Sequence, residues 1–271
     1  MSTKGVYTAL SGAMAQSERL DTIANNIANV NTPSFKRDEQ VFKEYLTANE
    51  KPPEVIQAPR DVAAIESFYN MQGGDKSYVD SAGTYTSFTQ GSLKATGGPL
   101  DVAIDGHGFF EIATPNGVRF SRLGAFKIDG NGQMVTKDGY PVLKAAPAGT
   151  DPAARVFRIA GDQPLHISDG GEVFEGETNI GRLSMVDFPN KDTIQKVGGS
   201  LYEFKPNAKP EVTEITQPNV KQGFLEMSNV NIVKEMTDMI TTTRVFESTQ
   251  KAINAYDSMA DKAINQVGSV K

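Results

Sequence analysis

At both ends of this chain, apolar residues recur at alternating steps of four and three, and that spacing restricts the fold more than any other feature. Near the start the stripe is Val6, Leu10, Ala13, Leu20, Ala24 and Ile27, interrupted only by Ser17. Near the end it is Ile232, Met236, Met239, Thr243, Phe246, Thr249, Ile253, Tyr256, Ala260, Ala263 and Val267. A heptad seam of this kind predicts a helix that lies against another helix rather than on a sheet. Between the two seams the period changes to two. Ends built to pair with helices, around a middle that folds separately, imply a polymer subunit whose ends form the shared core.

Composition narrows the function classes. With 271 residues the chain can hold one large domain or two modest ones. It has no cysteine, which excludes thiolate zinc sites, thiol catalysis and disulfides together. A net charge of −6 argues against a general nucleic-acid partner, which needs a basic footprint. No run of eighteen apolar residues is present, so membrane insertion is not expected. Lys4 is followed by a polar, heptad-patterned segment and not by an apolar stretch, so no cleaved secretory signal is expected.

The first helix is expected from about Gly5 to about Asn29. It stops at Asn31-Thr32-Pro33-Ser34, where Pro33 biases Thr32 away from helical geometry. Asn25, Asn26 and Asn29 fall off the seam, on the expected outer face. Asparagine is a poor helix residue, so such a cluster points either to amide contacts between subunits or to capping chemistry at the helix end. Residues 37–84, broken by Pro52, Pro53 and Pro59, read as an extended connector.

From residue 85 to 225 the pattern is that of a central β-rich domain. Leu100, Val102 and Ile104 alternate with Asp101, Ala103 and Asp105. Thr114-Pro115-Asn116-Gly117, Asp129-Gly130-Asn131-Gly132 and Asp138-Gly139 are turn signals at about ten-residue spacing, which predicts an antiparallel all-β domain. Further strands are expected at 140–143, 156–159, 165–167, 180–188 and 201–204. Ser228 is the expected N-cap of the final helix. The predicted fold class is therefore α+β. Residues 1–36 and 226–271 supply terminal helices paired as a coiled coil, and an antiparallel all-β domain lies between them.

Three segments resemble one protein family. Leu20-Asp21-Thr22-Ile23-Ala24-Asn25-Asn26-Ile27-Ala28-Asn29-Val30-Asn31-Thr32-Pro33-Ser34-Phe35-Lys36-Arg37 resembles the N-terminal motif of flagellar rod and hook proteins, with Ser34 where the family has glycine. Leu100 to Phe110 is similar to the family's central strand pair. Leu225-Glu226-Met227-Ser228-Asn229-Val230-Asn231, continuing through Glu235-Met236-Thr237-Asp238-Met239-Ile240 to Arg244-Val245-Phe246-Glu247, is similar to its C-terminal motif. Within the family the likeness is to rod subunits, first the proximal and next the distal type. Arg37-Asp38, Val233 to Met236 and the length of the tail favour the proximal type.

The resemblance implies a structural subunit of the flagellar rod, exported through the flagellar type III apparatus without a cleaved signal and assembled in the periplasm. Its implied partners are copies of itself and the other proximal and distal rod subunits. The residues implied in assembly are Leu20, Ile23, Asn25, Asn26, Ile27, Asn29, Asn31, Thr32, Pro33 and Phe35 at the first end. At the second end they are Ser228, Asn229, Val230, Met236, Met239, Ile240, Arg244, Phe246, Glu247 and Ile253.

No catalytic, metal or cofactor site is expected. His107 and His166 lack partners at ligand spacing. The loop 129–132 resembles a calcium loop, but Gln133 and the absence of a distal glutamate make it a β-turn. Asp101, Asp105 and Glu111 could pair as glycosidase carboxylates. That pairing would make the chain a periplasmic protein that binds or cleaves the cell wall, the competing reading.

Overall fold

The computed structural model describes residues 4–46, 77–147, 149–161, 163–206, 208 and 211–267, in two units. One unit holds the two chain ends, up to Ile27 and from Ile232, together with Asp38–Tyr85. The other holds Ala28–Arg37 and Thr86–Asn231. The centre of the expected connector, residues 47–76, lies outside the described residues.

In the first unit, helix α1 spans Lys4–Ala28 and helix α2 spans Ile232–Val267. Strands β1 (Asp38–Leu46) and β2 (Ser77–Thr86) pair as a two-stranded ribbon, so the flanks of the connector are extended and hydrogen-bonded to each other. The Tyr85 hydroxyl donates to the Glu39 carboxylate within that ribbon. The base of the ribbon also reaches α1: Gln40 Nε2 donates to Glu18 Oε2 at 3.1 Å, and the Arg19 guanidinium lies 5.9 Å from the centre of the Phe42 ring.

The covered side of α1 differs from the expected seam. Ala13 is buried and Val6, Leu20 and Ile27 are half-buried, but Leu10 and Ala24 are exposed. The continuous covered line is Gly5, Ala9, Gly12, Gln16, Arg19, Ile23 and Asn26, the same alternation moved back by one residue. Apolar side chains alone define the expected seam, whereas glycine, alanine and the polar Gln16, Arg19 and Asn26 occupy much of the observed one. On α2 the expected seam is covered from Met239 through Thr243, Phe246 and Thr249 to Ile253, while Ile232, Met236 and Tyr256 are exposed. The final helix is not capped by Ser228. Its hydroxyl accepts from the Val230 N–H at 3.2 Å in the segment ahead of the helix, and Asn231 stands immediately before the first turn.

The second unit is antiparallel throughout its paired strands. Its largest sheet contains β5 (Phe109–Thr114), β6 (Gly117–Ser121), β12 (Met185–Asp187), β13 (Ile194–Gly198), β14 (Leu201–Phe204) and β15 (Thr213–Glu214), in the order β13-β14-β6-β5-β12-β15. Strands β9 (Leu165–Ile167), β10 (Glu172–Glu175) and β11 (Thr178–Arg182) form a second sheet. Two-stranded pairs join β3 (Leu93–Ala95) to β17 (Phe224–Glu226), β4 (Val102–Ile104) to β16 (Val220–Gln222), and β7 (Phe126–Ile128) to β8 (Met134–Thr136). The turn at Pro115-Asn116 makes the expected hairpin, with Thr114 opposite Gly117 and Gly117 at φ 110°.

Some expected strands take another form. Residues 140–143 and 156–159 contribute isolated bridges, such as Ile112 to Val142 and Leu143 to Val156, rather than continuous ladders. The stretch 180–188 divides into β11 and β12. Strand β4 has Val102, Ala103 and Ile104 all buried, so both of its faces are covered, and Asp101 and Asp105 lie just beyond its ends.

Two apolar cores result among the described residues. The larger gathers Val102, Ile104, Phe110, Ile112, Met134, Val142, Phe157, Leu183 and Met185. The smaller is aromatic: Phe109, Phe120, Phe188 and Tyr202 pack with Phe88 and Phe204. Its rings meet largely edge to face at centroid separations of 4.8 to 5.6 Å, the arrangement aromatic quadrupoles favour.

Candidate functional site

Residues of the first and last family motifs meet inside the second unit, around one buried carboxylate. Glu226 closes β17, where it faces Leu93 of β3. One of its oxygens accepts from Lys36 Nζ at 2.6 Å and from the Gly91 N–H at 2.9 Å. The other accepts from Arg122 Nε at 2.9 Å. Further donors of both cations are used: Lys36 Nζ donates to the Thr89 carbonyl, and the Arg122 guanidinium donates to the carbonyls of Gly108 and Gly106. All three side chains are at most 4% exposed.

A buried charge is tolerated only when it is paired and its hydrogen bonds are met, and here two cations flank one anion. Burial pushes the Lys36 ammonium below its ordinary 10.5, with the Glu226 carboxylate pulling the other way. The Arg122 charge adds to the downward push.

The backbone approaching this clasp is shaped by Ser34. It sits at φ 59°, the left-handed region, which is the conformation a glycine at this position would adopt with less strain. Ser34 is buried, its N–H donates to the Glu226 carbonyl at 2.8 Å, and its hydroxyl donates to the Arg122 carbonyl at 2.9 Å. The turn therefore keeps a glycine-type geometry without glycine. Beside it, Lys196 Nζ lies 4.1 Å from the centre of the Phe35 ring and donates to the Lys36 carbonyl at 2.5 Å.

Asn229 provides a second link between the motifs. Its Oδ1 accepts from the Arg37 N–H at 2.7 Å, and its Nδ2 donates to the carbonyls of Ser87 and Thr89. The Asn229 N–H donates to the Phe35 carbonyl, and Val230 is buried next to it. Asn29 and Thr32 shape the turn between α1 and this region. The Thr32 N–H donates to the Asn29 carbonyl, and the Thr32 hydroxyl to Asn29 Oδ1. Pro33 is half-buried and Asn31 is exposed.

Asn26 corrects the expectation of an outward asparagine face. It is buried: its Oδ1 accepts from the Asp38 N–H at 3.0 Å, and its Nδ2 donates to the Asp38 carbonyl at 2.8 Å and to Glu235 Oε2 at 3.2 Å. Asn25 is exposed, Asn29 is half-buried and Ile23 is buried. On α2, Met236, Ile240, Arg244 and Glu247 are exposed, while Met239, Phe246 and Ile253 are half-buried. The named residues thus divide into polar links, made by Asn26 within the first unit and by Asn229 within the second, and helix positions that are mostly exposed or half-buried.

Sequence reasoning missed the charged group at the centre of the second unit's links. Lys36 and Glu226 both lie inside the quoted motifs, and a charge of opposite sign in each terminal motif was the available signal. Arg122 lies in no quoted motif, and nothing in its surrounding sequence marks it as buried.

The carboxylates considered for catalysis are tied into separate networks. Asp101 Oδ2 accepts from the Thr96 hydroxyl at 2.6 Å. Asp105 pairs with Lys221 at 2.7 Å and accepts from Gln90, contacts that hold its carboxyl below the usual range. Glu111 pairs with Arg155 and accepts from the Ser184 hydroxyl. Asp129 Oδ1 accepts from the N–H groups of Asn131 and Gln133, which closes its loop as a turn and lowers its carboxyl. His107 is exposed, and His166 Nδ1 lies 3.0 Å from Gln222 Oε1. Among the described residues no group of three or more acidic or histidine side chains is arranged to hold a metal.

Terminal helices with apolar faces left uncovered, tied through buried polar joints at the chain's first and last motifs, define the class of an assembling structural protein. Family models match three stretches: "Flagella basal body rod protein" at residues 6–36, "Flagellar hook protein FlgE/F/G D1 domain" at 103–175 and "Flagellar basal body rod FlgEFG protein C-terminal" at 221–266. The chain is 35% identical to the flagellar basal-body rod protein FlgG of Bacillus subtilis, covering 97% of this chain and 98% of that one. It is 35% identical to FlgG of Agrobacterium fabrum, over 95% and 97% of the two chains. It is 33% identical to the rod protein FlgF of Mesorhizobium japonicum, over 97% and 98%. The chain belongs to the flagellar basal-body rod protein family, as a structural subunit of the rod.

Proposed function

We propose that this chain polymerises axially through its terminal helices, and that the resulting shaft transmits torque. In this reading α1 and α2 pair as an antiparallel coiled coil within each subunit and bury their outer faces against neighbouring subunits. The observation that carries the proposal is the large apolar side chains left exposed on both helices: Tyr7, Leu10 and Met14 on α1, and Val233, Met236, Ile240, Val245, Tyr256 and Met259 on α2. Burying such surface stabilises by about 25 cal/mol per Å². Two contacts support the antiparallel pairing. A Cβ on Gly5 would lie 3.4 Å from the Tyr256 ring, and Asn26 bonds Glu235, so equal lengths of helix separate the two contacts on each side.

The same reading takes the subunit through the flagellar export apparatus without a cleaved signal and into the periplasm, where copies of itself and the other rod subunits are its partners. Helices with incomplete cores are marginal alone, so ordering coupled to assembly keeps subunits from polymerising before export. Deletion of residues 1–30 tests the proposal: incorporation into purified basal bodies is lost, while continued incorporation overturns it. Cryo-EM of those basal bodies fixes the height. Density for this chain near the base supports the proximal position that residues 37–38 and 233–236 favour. Density in the upper section supports the distal one, to which the 35% identity with a relative named FlgG, against 33% with one named FlgF, lends support.

A further inference from the structure

One lysine of the β unit is seated where an ammonium gains little. Lys144 follows the bridged segment 140–143: its N–H donates to the Arg155 carbonyl at 2.7 Å, and its backbone bridges Leu183. Its stem runs over Gly181 of β11, where a Cβ would lie 2.9 Å from Lys144 Cδ, so the missing side chain leaves room for the lysine. At the end of the stem, Nζ lies 5.1 Å from the centre of the Phe157 ring, a buried member of the larger core.

The surrounding charges do not answer its own. Lys144 Nζ forms no hydrogen bond or ion pair among the described residues. On the neighbouring segments, Glu111 is taken by Arg155 and Ser184, and Arg182 pairs with Glu214. Arg158, next to Phe157, is exposed and likewise forms no ion pair among the described residues. Burial pushes the Lys144 ammonium below its ordinary 10.5, and the Arg158 charge adds to the push. Other lysines of this unit are placed differently. Lys36 is buried beyond the reach of a reagent, Lys221 is paired with Asp105, and Lys127 and Lys196 each donate to a backbone carbonyl. Lys94, Lys137 and Lys205 stand exposed to water.

We infer that Lys144 is an acylation site that accepts an acyl group from a small acyl phosphate, with Arg158 holding the phosphate. An amine set against apolar surface and beside a second cation is nucleophilic, because both effects favour its neutral form. The neutral Nζ attacks the carbonyl carbon of the donor. A nitrogen–carbon bond forms, and the carbon–oxygen bond to phosphate breaks. Inorganic phosphate leaves with the bonding pair and takes up the proton released from nitrogen. The Arg158 guanidinium suits the donor's phosphate, which it can bind through two parallel N–H groups. The product amide is uncharged, so the repulsion between the two cations is lost and only apolar contact with Phe157 remains.

Peptide mass spectrometry of the full-length chain, incubated with acetyl phosphate at neutral pH, measures acetylation lysine by lysine. Lys144 is expected to react severalfold faster than Lys94, Lys137 and Lys205, and to lose that advantage in urea, where its seat is gone. Equal rates in the folded chain, or an advantage that persists in urea, overturn the inference. Arg158→Gln supplies the second readout. It slows transfer from acetyl phosphate more than transfer from the uncharged N-hydroxysuccinimide ester of acetic acid, since only the first donor uses the guanidinium. An equal fall with both donors, or no fall with either, also overturns the inference.

Discussion

The Lys36 ammonium lies 2.6 Å from a carboxylate oxygen of Glu226, a residue 190 positions further along the chain. The lysine belongs to the motif that ends the first helix, and the glutamate to the motif that leads into the last. Arg122, from the middle of the β unit, completes the group on the second carboxylate oxygen. The two outer motifs and the central fold are thereby held at one buried point.

Replacing Glu226 with glutamine removes the carboxylate that pairs with two buried cations. Breaking a buried pair in this way costs about 3–5 kcal/mol. Lys36→Met costs less, because Arg122 still neutralises the carboxylate. Urea unfolding followed by tyrosine fluorescence reads both, and equal losses would contradict this account of the group.

Ser34 places two opposing effects at one residue. Ser34→Ala keeps the left-handed strain and loses the hydroxyl bond to the Arg122 carbonyl, so it destabilises by about 1 kcal/mol. Ser34→Gly loses the same bond but relieves a conformational cost of about 1–2 kcal/mol, leaving stability near that of the parent. Thermal melts of the two variants should fall in that order, and an alanine variant as stable as the glycine one would refute it.

The depressed Lys36 pKa makes stability depend on alkaline pH with a definite sign. Between the folded pKa and the ordinary 10.5, the unfolded chain holds more protons at this site than the folded chain. Stability from Lys36 therefore rises with pH across that window and is lowest below it. Lys36→Met does not titrate, so the melting-temperature difference between parent and variant should shift in favour of the parent as pH rises. A difference that moves the other way would show that pairing with Glu226, rather than burial, governs the lysine.

Gly124 touches a neighbouring strand more closely than any side chain could. A Cβ there would sit 1.8 Å from the Val102 carbonyl oxygen, on the strand whose N–H donates to the Gly124 carbonyl at 2.9 Å. Gly124→Ala must push β4 away from the larger core, at a cost of about 1–3 kcal/mol or more. Amide exchange at Val102 and Ile104 should quicken in that variant, and unchanged protection would exclude the displacement.

The parts of this architecture that could be read in advance depend on neighbours in sequence. Pro115-Asn116 and the Asp129 loop form turns because their hydrogen bonds close within a few residues. The spacing on α2 from Met239 to Ile253 shows its covered side because apolar residues occupy it. On α1 the covered side is made partly of Gly5, Gly12, Gln16 and Asn26, which a count of apolar residues passes over. Asn26 was misplaced because its partners, Asp38 and Glu235, become neighbours only after folding. The Lys36, Arg122 and Glu226 group was hidden for the same reason. Ser228 has the chemistry of a helix cap, but its hydroxyl meets an N–H two residues on, before the helix begins.

The Ser34–Glu226 and Arg37–Asn229 bonds set the points where the chain enters and leaves the β unit side by side. A fold joined at adjacent points behaves as a cassette, since enlarging or exchanging what lies between them leaves the separation of the flanking segments unchanged. Folds of very different size can thus stand between one and the same pair of end segments.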